Sequence, residues 1–314
     1  MTTPARIITL TLNPALDITQ FHSGVQLGAM NRAESAFIEA SGKGINVAQA
    51  AAKLGVPSVA IAPLGDVVGQ AISSMLIEPN LELVKIPIAG ASRCNFKLLD
   101  GSRITEFNAA GPTLDLIEWQ TLEMTLLKRV QTDSVVVLAG SLPRGIQSNV
   151  YADLTRKIQL RGARVVVDAE GSSLELALKA NPWLVKPNRV EAEMLLGTKI
   201  NELSDAIAAA RKIQALGAQN VLLSLGAEGS IMLTKYSCFQ ASPPRVQAKN
   251  TIGCGDALLA GAIVGITQNM DWTESLRFGT AVALARALML SPSFPTAVVA
   301  KRRIGEVQII SNIK

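Results

Sequence analysis

Histidine and paired cysteine are what this 314-residue chain most conspicuously lacks. His22 is the single histidine. Ser-His-Asp or Cys-His catalysis would rest on it alone, and its place between Phe21 and Ser23 reads as a polar loop. Cys94, Cys238 and Cys254 lie far apart and form no CxxC pair, so neither a disulfide framework nor a zinc site is indicated. Long apolar runs are missing too. The most apolar charge-free stretch, Ala257 to Met270, contains Thr, Gln and Asn and is too short to span a bilayer. Thr9 and Thr11 interrupt Ile7–Leu12, and Asp17 follows closely, so no signal-peptide pattern is seen and a cytoplasmic location is expected. A GxGxxG fingerprint and a GxxxxGK[S/T] loop are also absent, which argues against a nicotinamide dehydrogenase and against a Walker A site.

The formal charge is +5, but Lys and Arg are scattered. The one tight cluster, Lys301-Arg302-Arg303, has no aromatics interleaved. Nucleic acid is therefore not indicated, whereas phosphate-bearing substrates suit a mild positive excess. With 48% hydrophobic and 18% charged residues, the chain has the composition of a soluble protein with a large core, long enough for one large α/β domain or two smaller ones.

Read in order, Ile7–Leu12 is a buried strand ending at Asn13-Pro14, and Asp17 follows in a segment too short to be a helix before Phe21. Residues 33–39 alternate as a half-exposed strand, and a small-residue helix from Ile45 stops at Gly55. From Leu81 to Asn108 the pattern turns antiparallel, with Asp100-Gly101 as a hairpin turn. A helix over Leu114–Val130 takes Thr113 as its N-cap. After it strands and helices alternate: Val135–Ala139, Val150–Leu160, Val165–Val167, Leu174–Lys179, Trp183–Lys186, Glu191–Leu195, Asp205–Leu216, Val221–Ser224 and Ser230–Leu233. Two long apolar helices, Asp256–Gln268 and Thr273–Met289, follow. This rhythm predicts a mainly parallel sheet covered on both faces, with the β-rich material near 20–40 and 81–108 attached as a small lid.

Ligands of such a sheet bind at the carboxyl ends of its strands. Asp17, Ser141, Asn188, Glu191, Ser224 and Asp256 fall there. In Asn250-Thr251-Ile252-Gly253-Cys254-Gly255-Asp256 a glycine-punctuated turn meets a charge-free helix. Its free N–H groups favour an anion, and Asp256 reads either as an N-cap or as a general base beside that anion. Gly42-Lys43-Gly44 opens a second helix and adds a cation. Asn188 and Glu191, behind Pro187, read either as a capping box or as a contact for hydrated Mg²⁺. Together these features point to phosphoryl transfer from a nucleotide.

Six motifs occur in the order found in one family: Thr11-Leu12-Asn13-Pro14-Ala15-Leu16-Asp17, Gly42-Lys43-Gly44-Ile45-Asn46-Val47-Ala48, Gly140-Ser141-Leu142-Pro143, Val185-Lys186-Pro187-Asn188, Ser224-Leu225-Gly226 and Asn250–Asp256. The chain thus resembles, from Thr9 to about Leu288, the ribokinase-like carbohydrate kinases, in the phosphofructokinase B branch. The closest pattern is that of the 1-phosphofructokinases and tagatose-6-phosphate kinases. The resemblance implies a Rossmann-like ribokinase fold over residues 1–314, a mainly parallel α/β sheet with a lid formed by about 18–40 and 88–110. It implies ATP and Mg²⁺ as cofactors, a sugar-phosphate substrate, and a homodimer formed through the lids. It makes Asp256 the base and the N–H groups of Gly253, Cys254 and Gly255 the anion hole. Asp17, Gly42, Lys43, Asn46 and Ser141 then hold the sugar phosphate, with Arg93 reaching in from the lid. Lys186, Asn188, Glu191, Ser224, Gly226, Gly229 and Thr251 match the nucleotide and Mg²⁺ side. Cys254 stands where alanine is commoner, and a free thiol there suggests sensitivity to oxidation or alkylation. Asn250 replaces the wider family's aspartate. Glu106 stands where the 6-phosphofructokinase type carries an arginine, and that type has Gly in place of Lys43. The implied substrates rank fructose 1-phosphate, then tagatose 6-phosphate, then fructose 6-phosphate.

Overall fold

The first apolar run forms strand β1 (Ile7–Thr11), buried at every position, as a parallel strand covered on both faces must be. The structure, a computed structural model, describes residues 7–101 and 103–311. From β1 the chain runs through Leu12-Asn13-Pro14 into β2 (Ala15–His22) and β3 (Ser35–Ser41), then through helix α1 (Lys43–Lys53) to β4 (Ser58–Leu64). Helix α2 (Asp66–Met75) leads to β5 (Leu81–Pro87), the hairpin β6 (Arg93–Asp100) and β7 (Arg103–Phe107), and helix α3 (Leu116–Arg129). Alternation follows through β8 (Val135–Ala139), α4 (Val150–Gln159), β9 (Arg164–Asp168), α5 (Gly171–Leu178), β10 (Leu184–Val185), α6 (Arg189–Leu196), α7 (Leu203–Ala215) and β11 (Val221–Ser224). The remainder holds β12 (Ser230–Leu233), β13 (Cys238–Ser242), the apolar helices α8 (Cys254–Thr267) and α9 (Trp272–Ala287), α10 (Ala297–Lys301) and β14 (Gln308–Ser311).

Among the described residues the strands form a ten-stranded sheet, ordered β14-β13-β12-β11-β10-β9-β8-β1-β4-β5, and a four-stranded sheet, ordered β3-β2-β6-β7. The large sheet is parallel from β11 to β5 and antiparallel where β12, β13 and β14 extend one edge. Successive units wind away in opposite directions from the β1–β8 pair, so a crevice opens at the carboxyl ends of those two strands. The small sheet is rooted at this crevice, because β1 runs straight into β2 and β3 straight into α1. Side chains alternate across β1. Ile8 and Leu10 join the core cluster that includes Leu122, Leu154 and Ile213 of α3, α4 and α7. Ile7 joins the opposite cluster with Val47, Leu259 and Phe278 of α1, α8 and α9. Both faces are thereby covered, and no helix among the described residues is long and apolar enough to cross a membrane.

Several local expectations change. Asp17 lies within strand β2, paired with Glu39 and Asn95 on its two neighbours; its short segment is a strand whose inner face alone is buried. Leu81–Pro87 belongs to the large sheet, paired parallel to β4, rather than to the antiparallel material. The α3 N-cap is Asp115, whose carboxylate accepts from Glu118 N–H while Glu118 accepts from Asp115 N–H. Thr113 is instead held in an isolated bridge to Arg144. The short edge strands β13 and β14 carry little alternation and were not legible from pattern.

Candidate active site

At the crevice the backbone is shaped by two glycines. Gly253 caps α8 with φ +75, a left-handed conformation that glycine adopts without a Cβ penalty. Gly42 caps α1 at φ +132, and a Cβ there would come 2.6 Å from Thr11 Cγ2. Both helices therefore start with their first-turn N–H groups at the same crevice. Asn250 shapes the α8 turn by accepting from Ile252 N–H at 2.9 Å. The N–H of Cys254 makes a long bond to Thr251 O at 3.3 Å, while those of Gly253 and Gly255 donate to no backbone acceptor among the described residues.

Asp256 sits in that first turn, 8% exposed, and its Oδ2 accepts from Asn46 Nδ2 at 2.7 Å. Burial, with the charge of Asp168 added, pushes its pKa up to about 6 against the pull of Lys186 and Lys43. Such a carboxylate is ionised at neutral pH yet readily protonated, which is what a general base requires.

Lys43, the first residue of α1, reaches Asp168 Oδ1 at 3.1 Å and Glu191 Oε1 at 2.9 Å. Burial disfavours its charge, but the two carboxylates outweigh that and hold its pKa above the usual lysine value. Asp168 is fully buried and also meets Lys186 Nζ at 3.0 Å; burial raises its pKa, but Lys186 and Lys43 prevail and hold it below the usual range. Lys43 thus lines the cavity while its ammonium meets Asp168 and Glu191. Asp168 was missed in the sequence, although an aspartate closing a buried strand at its carboxyl end was the available signal.

Asn188 and Glu191 form a complete capping box on α6: Asn188 Oδ1 accepts from Glu191 N–H at 2.8 Å, and Glu191 Oε2 accepts from Asn188 N–H at 2.9 Å. With Oε1 accepting from Lys43, each of these side-chain oxygens is already engaged. The described residues contain no cluster of three or more His, Cys, Asp or Glu side chains able to hold a metal. Direct Mg²⁺ coordination by Asn188 and Glu191 does not fit this arrangement.

On the other side, β6 presents Arg93, Asn95 and Lys97 at two-residue spacing, so all three share one face. Lys97 pairs with Asp17 Oδ2, and Asn95 Nδ2 donates to Asp17 Oδ1 at 2.9 Å. Arg93 donates to the carbonyls of Asn13 and Ala109 at 3.1 and 3.0 Å, neutral acceptors, and among the described residues the charge that acts on it is that of Asp17, without a direct ion pair. Asn13 Nδ2 donates to Ser141 Oγ at 3.3 Å. Asn13, Asn95 and Lys97 were missed, the last two despite the period-2 signal.

These groups surround one cavity of about 800 Å³, within the range of small-molecule sites. Asp17, Gly42, Lys43, Asn46, Arg93, Ser141, Asn188, Thr251, Gly253 and Asp256 line it, as does Glu106. Cys254, Gly255, Lys186, Glu191, Ser224, Gly226 and Gly229 do not. Of these, Gly255 and Lys186 lie beside one another, since a Cβ on Gly255 would lie 3.6 Å from Lys186 Nζ. Ser224, Gly226 and Gly229 form the β11–β12 connection, tied to the site by the Asn188–Ser224 bridge.

The family model of the pfkB family carbohydrate kinases matches residues 10–295. This chain belongs to the pfkB family. A 1-phosphofructokinase of Haemophilus influenzae is 34% identical over 281 residues, which cover 89% of this chain and 90% of that protein. The structure of Escherichia coli phosphofructokinase-2 in complex with potassium is similar with a TM-score of 0.88 at 30% identity, covering 96% of this chain and 98% of that one. Arabidopsis thaliana ribokinase, at 20% identity and a TM-score of 0.76 over 96% of this chain and 99% of its own, shares the ribokinase-like fold.

Proposed function

We propose that this pfkB-family kinase transfers the γ-phosphoryl group of ATP to fructose 1-phosphate, giving fructose 1,6-bisphosphate. The observation that carries the reading is Asp256, a buried carboxylate with its pKa near 6 at the mouth of a glycine-capped helix. In this reading Asp256 takes the proton of the sugar hydroxyl, the freed oxygen attacks the γ-phosphorus, and the bond to the ADP oxygen breaks. The α8 turn, through the N–H groups of Gly253, Cys254 and Gly255, receives the transferring oxygens. Asp17, Gly42, Asn46 and Ser141 hold the sugar, and Arg93 and Lys97 supply positive charge for its phosphate. Lys186, Asn188, Ser224, Gly226, Gly229 and Thr251 serve the nucleotide. Mg²⁺ suits the reaction as a partner of the nucleotide phosphates, meeting Glu191 only through water.

Glu106 supports the choice of sugar. A carboxylate lining the cavity repels a phosphate placed there, which disfavours fructose 6-phosphate, the substrate of the type that carries an arginine at that position. The relatives named 1-phosphofructokinase favour fructose 1-phosphate. A coupled assay comparing kcat/KM for the three sugar phosphates tests it. Fructose 1-phosphate is expected to lead by about tenfold or more; a lead by either competitor overturns the substrate, and no ATP consumption with any of them overturns the kinase reading in favour of a sugar-phosphate-binding regulatory protein.

The four-stranded sheet is read as a lid over the sugar, and its outer face as the contact of a homodimer. A row of apolar side chains supports the second point: Ile38, Ile18, Phe96 and Phe107 are successive cross-strand partners, and Ile38, Phe96 and Phe107 are 54%, 45% and 56% exposed. The cytoplasm is the compartment that fits an ATP-dependent sugar kinase of this kind.

A further inference from the structure

The last turn of α9 carries a charge that the proposed reaction has not used. Arg286 is 1% exposed and heads the largest fully buried side chains of the protein. Among the described residues its only hydrogen bond is a long one, Nη1 to Met289 O at 3.4 Å, and its buried Nε donates to nothing. No carboxylate lies within ion-pair distance of it among those residues. A buried, unpaired guanidinium is strongly penalised unless something compensates its charge.

What Arg286 does lie against is the back of the α8 turn. A Cβ on Gly253 would sit 3.8 Å from Arg286 Nε and 3.5 Å from Phe294 Cζ, so the guanidinium and an apolar ring lie close behind the residue whose front lines the cavity. The titratable groups facing Arg286 are Cys254 and Asp256 on α8 and Glu39 on β3. Phe294 is 7% exposed and keeps the region behind the turn dry, where charge is felt at longer range than in water.

We infer that Arg286 is a positioning residue for phosphoryl transfer, its charge acting through the Gly253–Cys254 turn on the anion held in front of it. The missing counter-charge is supplied by the ligand: the transferring phosphoryl group is the anion that completes the pair. This rests on the kinase reading above. It goes beyond it in assigning part of the electrostatic work to a side chain that never enters the cavity.

The test compares Arg286→Met, Arg286→Lys and Arg286→Ala with the parent enzyme. Arg286→Met keeps the length of the side chain and removes the unpaired charge, so its Tm is expected to match or exceed the parent's. Its kcat is expected to fall about 10–100-fold, with the sugar-phosphate KM changed less than about threefold. The acid limb of the pH–rate profile, set by Asp256 among Asp168, Lys186, Lys43 and Asn46, is expected to move to higher pH once a nearby positive charge is gone. Arg286→Lys should recover part of the rate, and guanidinium ion at millimolar concentration should recover part of it in Arg286→Ala. ATP binding by calorimetry, which needs no turnover, should weaken about fivefold or more in Arg286→Met.

If Arg286→Met fails to fold, the Lys variant and the guanidinium rescue decide the matter. A kcat within about twofold of the parent, or a loss with no shift of the acid limb and no recovery by Lys or guanidinium, leaves Arg286 a packing residue and sinks the inference. A parent enzyme that phosphorylates no sugar phosphate sinks the kinase reading instead, and the two failures are told apart by that control.

Discussion

Asn46 Nδ2 donates to Asp256 Oδ2 across 2.7 Å, joining the first turn of α1 to the first turn of α8. The two glycine-capped helix starts are thereby locked into one site by residues 210 apart in the chain. The bond favours the ionised form of Asp256, which burial and Asp168 disfavour. Asp256→Asn is expected to lose on the order of 10²–10⁴-fold in kcat while ATP still binds. Near-normal turnover in that variant would take Asp256 out of the role of base. In the parent, kcat/KM is expected to fall as pH drops through about 6. Asn46→Leu, which removes the donor, is expected to move that limb upward; an unmoved limb means that Asp256 does not set it.

The same carboxylate makes a stability prediction with a definite sign. Its folded pKa, about 6, lies above its ordinary value of 3.8, so between these values the folded state binds more protons than the unfolded one. Stability from this group is greatest below about pH 4, falls as pH rises toward 6, and is flat beyond. Asp256→Asn should therefore be more stable than the parent at pH 8 by on the order of 1–3 kcal/mol and lose that advantage below about pH 4. Asp168 acts in the opposite sense. Its pKa is held low, so its contribution is present above the ordinary carboxylate value and is lost as pH falls, whichever residue stands at 256. Thermal unfolding of both proteins across pH 4–8 reads the difference, and equal Tm values at pH 8 would sink it.

Lys43 was expected to serve the sugar phosphate, and the resemblance alone predicts that Lys43→Gln raises the sugar-phosphate KM far more than the ATP KM. The contacts of its ammonium with Asp168 and Glu191 argue for a shared position between the two substrates. We expect Lys43→Gln to lower kcat by about tenfold or more and to raise both KM values to within about threefold of each other. A rise confined to the sugar phosphate in two-substrate initial-rate kinetics would return Lys43 to the sugar side.

Cys254 was expected to be a reactive thiol. Burial, with Asp256 adding to it, pushes its pKa up to about 11 against the pull of Arg286, and its Sγ donates to Asn250 O at 3.8 Å. Reactivity follows the thiolate, so Cys254 should alkylate at least about 100-fold more slowly than free glutathione at pH 7.5. In the proposed anion hole only its backbone N–H takes part, so Cys254→Ala should keep kcat within about twofold. Labelling of Cys254 at the rate of a free thiol, followed by mass spectrometry, would refute this.

The sheet and helices were legible because buried parallel strands and glycine-stopped helices leave strong local patterns. Ile7–Leu12 and Val135–Ala139 are apolar runs, and Ala257–Val264 is apolar on every face. What was not legible depends on partners far away in sequence. Leu81–Pro87 looks like any half-exposed strand, and only its register with β4 assigns it to the large sheet. Asp168 and Lys97 look like ordinary charged residues until Lys43, Lys186 and Asp17 are brought beside them. The capping and metal readings of Asn188-x-x-Glu191 share one spacing, and only the folded chain shows the capping box made, with Lys43 on the remaining Glu191 oxygen.

The row Ile38–Ile18–Phe96–Phe107 across the small sheet carries the last prediction. Cross-strand neighbours on one face pack as a unit, and exposed aromatic and aliphatic side chains in a continuous row are unusual on a surface that stays in water. Facing a second copy of itself, the row would bury its apolar area twice over and close the two lids against each other. Phe96→Glu puts a charge into the middle of the row without touching the inner face, where Asn95 and Lys97 reach Asp17. We expect the parent chain to sediment as a dimer at micromolar concentration and Phe96→Glu as a folded monomer with an unchanged helical spectrum. Its sugar-phosphate KM should rise about tenfold or more as the lid loses its support, while its ATP KM stays within about twofold. A monomeric parent, or a variant that remains dimeric, would mean that this face does not hold two chains together.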